Sequence, residues 1–337
     1  MVALHSSDPA SVYLSVAART DATLAAIDAD LHDRGELVRL LAMRRTVWMV
    51  PVELVPVVTA ACTRSVAAVE RRKLVRVIED AGIERDGARW LTAVEAEVLA
   101  ALADRKEAFG TELREAVPAL EATYSGAPGK AYDRTVAISS RVLLQLAADG
   151  RIVRGRPRGT WLSSQYQWRL APECEVLDEA AAQAELARRW LATFGPAPAT
   201  DLQWWAGWTV AATKRAIAAA GEVDDGSDPD LEPWAALLPG LDPTPMGWKA
   251  RDWYLGPYVP RLFDKTGNVG PTIWWDGHIV GGWGQRPNGE VVTRVLEGIG
   301  RDGEAAVEAQ ANRLTQWLGG VRVTPRFRCP LEKELAV

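Results

Sequence analysis

Residues 194–209 read FGPAPATDLQWWAGWT, and their punctuation divides the chain. A helix that begins near Asp178 runs into Phe194-Gly195-Pro196, where glycine accepts a left-handed C-cap and proline forbids continuation. Thr200 and Asp201 then offer an N-cap and an acidic first turn for a short helix carrying Trp204 and Trp205. Gly207-Trp208-Thr209 breaks that helix and re-caps a third, which runs to Gly221. Helix, short helix, tight turn and third helix is the layout of a helix-turn-helix unit. The sequence before this unit reads helical and the sequence after it reads stranded.

Downstream, residues 222–232 (EVDDGSDPDLE) form an acidic loop or linker with glycine and proline. From Leu237 the pattern turns to short strands. Asp276-Gly277 between runs 272–275 and 278–283 is a strong hairpin signal. A strand over 291–296, a helix over 305–318 with Val307, Leu314 and Leu318 inside, and a closing strand over 321–327 complete a small β-rich domain.

Upstream lies a second unit. Thr92 with Glu95 reads as a capping box ahead of Val98 and Leu102, with Val94 on the same face, and Thr111 caps a short helix holding Leu113 and Val117. After SGAPGK a third helix is expected to bury Ile138, Val142 and Leu146, with Arg134 and Arg141 seven apart on another face. Gly150 stops it. A hairpin follows, with strands over 151–155 and 160–170 around Arg156-Pro157-Arg158-Gly159; Leu162, Tyr166, Trp168 and Leu170 alternate onto one face. Three helices and a wing make a winged helix. The first unit begins with Asp8-Pro9 opening a helix that carries Val12 and Val16. The Asp21 region caps a second helix, with Leu24, Ile27 and Leu31 on one face, that Gly35 ends, and residues 46–50 form a strand closed by Pro51. Residues 52–82 read as a linking helix with Arg71-Arg72-Lys73 on a solvated face. The expected architecture is α+β, mainly α: winged-helix units over 1–83, 84–175 and 176–236, then a β-rich domain over 237–337.

Composition narrows the function classes. The chain has 337 residues, 48% hydrophobic and 25% charged, as in ordinary soluble globular proteins of two to four domains. No uninterrupted run of about 18 apolar residues predicts a membrane span, and MVALHSSDP has neither a basic n-region nor an apolar h-region, so a cytoplasmic location is expected, with a monomer as the default. The opening is abrupt, as though an upstream helix were trimmed. Cys62, Cys174 and Cys329 are scattered, as are His5, His32 and His278, which predicts neither a disulfide framework nor a metal site, and no nucleotide-cofactor glycine motif is present. A formal net charge of −5 disfavours indiscriminate coating of nucleic acid and leaves room for a local basic face.

That face is expected at the wing. Arg151, Arg154, Arg156 and Arg158 fall within eight residues beside Arg134 and Arg141, a pattern suited to backbone phosphates or equally to solubility alone. Trp204, Trp205 and Trp208 suit either base stacking or core packing; neighbours about 100° apart on a helix cannot share a face. Trp274, Trp275 and Trp283 flank the Asp276-Gly277 turn and suit a DNA wedge or a small barrel core. His5-Ser6-Ser7-Asp8 can polarise a water for hydrolysis, with His5 or Asp8 as base, or cap a helix.

The segments FGPAPATDLQWWAGWT, LVRLLAMRRTVWMVP and LHSSDPASVYLS together resemble the bacterial winged-helix family that includes the AlkZ-like and YcaQ-like DNA glycosylases. The resemblance covers nearly the whole chain. It implies three tandem winged-helix units with a C-terminal β-rich domain, no cofactor, duplex DNA carrying a lesion as partner, and excision of alkylated or crosslinked bases. In that family a glutamine, one residue, and a glutamine or aspartate precede Asp-Pro and position the hydrolytic water. Here His5, Ser6 and Ser7 precede Asp8-Pro9. Histidine can replace the first glutamine as a hydrogen-bonding group, whereas serine is shorter. The resemblance thus implies His5, Ser7 and Asp8 as catalytic candidates, with Trp275 and His278 of the C-terminal hairpin beside the wing arginines on DNA. The alternative is a non-catalytic DNA-binding or regulatory protein that retains the scaffold.

Overall fold

A computed structural model of the chain describes residues 2–126, 129, 134–223 and 231–337. They form two compact units, Met1–Leu37 with Ala184–Val337, and Val38–Gln183. Helices and sheets are mixed in both.

The first unit opens with strand β1 (Leu4–His5) and helix α1 (Pro9–Ala17). Asp8 is the N-cap, accepting the Ala10 N–H at 3.1 Å, and Pro9 takes the position where a missing N–H breaks no helical bond. Helix α2 (Leu24–His32) is capped by the Thr23 hydroxyl.

The second unit contains β2 (Leu37–Leu41), β3 (Val47–Pro51), α3 (Val55–Val58), α4 (Arg64–Asp80), α5 (Gly87–Arg105), β4 (Glu107–Phe109) and α6 (Gly110–Ala116). The hairpin β5 (Thr123–Ser125) and β6 (Thr135–Ala137), helix α7 (Ser139–Ala148) and a second hairpin, β7 (Ile152–Pro157) and β8 (Tyr166–Leu170), follow. Strands run in the order β3-β2-β7-β8-β4. Val94, Val98 and Leu102 of α5 and Val142 and Leu146 of α7 meet in one core with Ile138 and Ile152, as their spacing requires. Residues 52–80 form one long helical run that by length and composition could cross a membrane; half of its apolar window is buried within the protein.

Helix α8 (Glu179–Phe194) carries the chain back into the first unit. It ends at the cis Gly195-Pro196 bond, and α9 (Ala199–Ala206) and α10 (Val210–Ala220) follow. Gly207 closes α9 in the left-handed conformation and the Thr209 hydroxyl caps α10 at Ala212. Thr209→Ala is expected to cost about 1 kcal/mol through this lost cap, seen as a lower urea midpoint with unchanged slope. Beyond lie β9 (Ala235–Leu238), α11 (Asp252–Leu255), α12 (Val259–Leu262), β10 (Thr272–Trp275), β11 (His278–Gln285), β12 (Val291–Val295), α13 (Gly300–Leu318) and α14 (Pro330–Leu335). The four strands order as β12-β11-β10-β9.

Several local expectations change. Helix α5 starts at Asp86, whose carboxylate accepts the Arg89 N–H, so Thr92 and Glu95 lie mid-helix and form no capping box. Both instead bind Arg71, which is therefore not on a purely solvated face. Thr200 lies inside α9, whose cap position is Pro198, and Asp201 turns to accept the Ala250 N–H at 3.1 Å. Arg134 precedes β6 and is outside α7, because β-branched Thr135 and Val136 pair with β5. The return strand of the β7–β8 hairpin starts only at Tyr166, leaving Leu162 in the connecting loop. Residues 321–327 are not a strand; the Gln285 side chain holds them, accepting from Val323 N–H and donating to the Val321 carbonyl. Within the acidic stretch 222–232, residues 224–230 lie outside the described residues, as do 127, 128 and 130 of SGAPGK.

Candidate functional site

The His5–Asp8 segment is folded tightly at the head of α1. His5 is 4% exposed and Ser6 1%, while Ser7 is half-buried. The Ser7 N–H points to His5 Nδ1 at 3.4 Å, an arrangement that puts the proton of the neutral ring on Nε2. Asp8 uses both oxygens: Oδ1 accepts the Ala10 N–H and Oδ2 the Arg326 N–H at 2.8 Å. The Arg326 guanidinium also donates to the Ser7 carbonyl at 3.4 Å. Burial raises the Asp8 pKa, and the two backbone N–H groups and the Arg326 charge oppose it. The capping role of Asp8 is thus realised, and His5 and Ser7 are brought together beside it. Arg326, some 300 residues away in sequence, carried no signal that would have joined it to this motif.

In the second unit the β7–β8 hairpin carries more than an array of solvated arginines. Arg141, Arg154 and Arg158 line one cleft of about 640 Å³, together with Arg114 and the rings of Phe109, Tyr124, Tyr166 and Trp168. The Arg158 guanidinium lies 4.0 Å from the Phe109 ring centre. Arg141 donates from Nε to the Tyr124 hydroxyl at 2.8 Å and lies 5.1 Å from its ring centre. Arg154 sits 5.4 Å from the Trp168 ring centre and 5.6 Å from that of Tyr166. Arg39 on β2 is directly opposite Arg154 and also lies over Tyr166, at 4.3 Å, concentrating positive charge on this sheet. Arg134, Arg151 and Arg156 are exposed and do not line the cleft. The alternation of Tyr166 and Trp168 was visible in sequence; the contributions of Phe109, Tyr124 and Arg114 were not, because they arrive from three other elements.

A sequence profile of the family described as DNA glycosylase AlkZ-like matches residues 1–317. The chain belongs to the AlkZ-like DNA glycosylase family. No curated protein matches this AlkZ-like chain in sequence. Among solved structures its fold is similar to that of the Streptomyces sahachiroi DNA glycosylase AlkZ, with a TM-score of 0.60 and 19% identity over 88% of this chain and 81% of that one.

In this AlkZ-like protein Asp276 and Gly277 take φ of 44° and 80°, the double left-handed turn that joins β10 to β11. Trp274 is buried against the core, whereas Trp275, on the other face, is half-buried and packs close to Gly303 of α13. His278 is exposed at the tip, with Nδ1 3.0 Å from the Asp276 carbonyl. Trp283 is buried and donates to the Leu238 carbonyl. Of the central tryptophans, Trp205 is 1% exposed, and Trp204 packs at the edge of the core with the Arg251 guanidinium 5.1 Å from its ring centre. Packing accounts for both.

Proposed function

We propose that this protein is a DNA glycosylase-like hydrolase that breaks the N-glycosidic bond of an alkylated or crosslinked purine in duplex DNA. The observation that carries this reading is the family match, taken with a hydrogen-bonded His5–Asp8 segment at the head of α1. A purine alkylated at N7 is cationic and leaves as a neutral base, so protonation of the leaving group is unnecessary. What remains is to place a water and to stabilise positive charge developing on the sugar. In His5, with the Ser7 N–H on its Nδ1, Nε2 is the ring atom that can donate to and orient a water. Asp8 supplies nearby negative charge, and Ser7 a short hydroxyl. Arg134, Arg141, Arg151, Arg154, Arg156 and Arg158 on the wing side, and Trp275 and His278 at the C-terminal hairpin, are the proposed DNA contacts. The proposed organisation is three winged-helix units over 1–83, 84–175 and 176–236 with a β-rich domain over 237–337, acting as a monomer.

The second reading, a DNA-binding protein without hydrolysis on the same scaffold, is favoured by one observation: both Asp8 oxygens serve backbone N–H groups. One experiment separates the two. Duplex containing 7-methylguanine is incubated with protein and treated with alkali. Strand cleavage above a heat-killed control is the expected result. Salt-dependent binding to the duplex without cleavage, across several alkylated substrates, would leave the binder reading in its place.

A further inference from the structure

We infer that the cleft between α6, α7 and the wing is a binding site for unpaired nucleotides, taking the phosphates and bases of a single strand of DNA. The proposal rests on the functional reading above only for the identity of the polymer as DNA.

Three features of the cleft point to this ligand. The first is charge: four arginines, Arg114, Arg141, Arg154 and Arg158, line it, and among its described lining residues there is no aspartate or glutamate. Glu112, adjacent to the lining residue Thr111, has its carboxylate turned onto the Phe109 N–H at 2.6 Å. In a chain of net charge −5 such a recess is a local exception that selects an anion. The second is the way the arginines are held. A guanidinium over a ring, as Arg158 is over Phe109 at 4.0 Å, contacts it with its flat face while its N–H groups lie in the plane, the geometry that meets phosphate oxygens. The third is the aromatic lining itself. Half-buried Phe109, Tyr124 and Trp168 bring rings among the cations, and a guanidinium plane is itself a surface on which a base can stack, the combination by which proteins bind single strands through backbone charge and base stacking together. Helix α7 adds to the field, since its first residues Ser139 and Ser140 open into the cleft and no side chain caps it.

Duplex DNA suits this site less well. A base pair presents only its edges to a protein, whereas the cleft presents rings, and rings are useful only to a base that has left its stack. At about 640 Å³ the recess is a compact pocket and not an extended track.

The test uses the full-length protein, a fluorescein-labelled oligothymidine of ten nucleotides, the same strand with abasic sites at every position, and a blunt duplex. Wild type is expected to bind the oligothymidine at least about tenfold more tightly than the abasic strand, because stacking is lost in the latter. Arg141→Ala with Arg158→Ala is expected to weaken oligothymidine binding by at least about tenfold and to flatten its log–log salt dependence by about 0.7 for each arginine removed. Ser164→Glu, an exposed loop position on the cleft wall, places a carboxylate there without disturbing the arginine–ring contacts and is expected to weaken the strand similarly. Unchanged oligothymidine affinity in the folded Ser164→Glu protein would overturn the proposal. Equal binding of the abasic strand would overturn it too, by showing phosphate attraction alone. Base release from 7-methylguanine duplex is measured in parallel. If wild type binds the strand as expected but releases no base, the glycosylase reading fails and this site stands; release with no strand preference gives the reverse.

Discussion

Replacing His5 by alanine is expected to lower 7-methylguanine release from duplex DNA by about 100-fold or more, the usual range for losing a positioned proton-handling or water-orienting side chain. Duplex affinity is expected to stay within about threefold, since a buried imidazole at 4% exposure offers little surface to the DNA backbone. The loss should fall on kcat rather than KM, as for a group that acts mainly in the transition state. With the Ser7 N–H donating to His5 Nδ1, the proposed role of the ring is that of an Nε2–H donor that places water. His5→Gln tests this directly. A glutamine amide donates a hydrogen bond and does not titrate, so most of the activity should return. A glutamine variant as inactive as alanine would instead assign His5 a proton-abstracting role. Full activity in His5→Ala would remove His5 from the chemistry.

The second large effect concerns stability in the other unit. Arg71 on α4 grips Glu95 on α5 with two hydrogen bonds of 2.9 Å each, and reaches Asp149 at 3.4 Å and the Thr92 hydroxyl at 3.3 Å. Glu95 is 8% exposed. Arg71→Met keeps the aliphatic stem but leaves that carboxylate buried without its cation. Breaking a buried pair in this way costs about 3–5 kcal/mol, and partial access of water to Arg71 reduces the expectation to about 2 kcal/mol. For a chain of 337 residues, at about 2.1 cal/mol/K of unfolding entropy per residue, that is about 3 °C in melting temperature. The pH dependence has a definite sign. Burial raises the Glu95 pKa, the hydrogen bonds and charge of Arg71 oppose it, and removing Arg71 lets it rise further. A carboxyl raised in the folded state favours folding below its unfolded pKa and loses that contribution as pH rises through the folded value. The destabilisation of Arg71→Met should therefore be largest at neutral pH and shrink as the solution is acidified and Glu95 takes up a proton. A deficit that is constant with pH would show that packing, and not the stranded charge, is responsible.

Features set by the local chain were legible in sequence. Asp8-Pro9, Gly207, Thr209 and Asp276-Gly277 each act within a few residues, through a cap, a left-handed turn or a fixed φ, and each takes the conformation its chemistry prescribes. The buried faces of α5 and α7 followed equally from helical spacing. Errors arose where two local solutions competed. Asp86 outran Thr92 as a cap six residues upstream, and pairing with β5 drew residues 135–137 out of the helix that was expected to contain Arg134. The 321–327 stretch has the composition of a strand, but its backbone is satisfied by the Gln285 side chain and needs no ladder.

What the sequence by itself determined, then, is the order of helices and turns, the capped entry to α1 and the concentration of arginine between residues 151 and 158. Only the tertiary structure decided what those groups face. It brought the Arg326 N–H to Asp8 across more than 300 residues, and it joined Arg141, Arg154 and Arg158 to rings from β4, β5 and β8 in one cleft. The physical reason is that caps and turns are satisfied by neighbours in the chain. Buried carboxylates and stacked guanidiniums require partners that only packing between distant segments can supply.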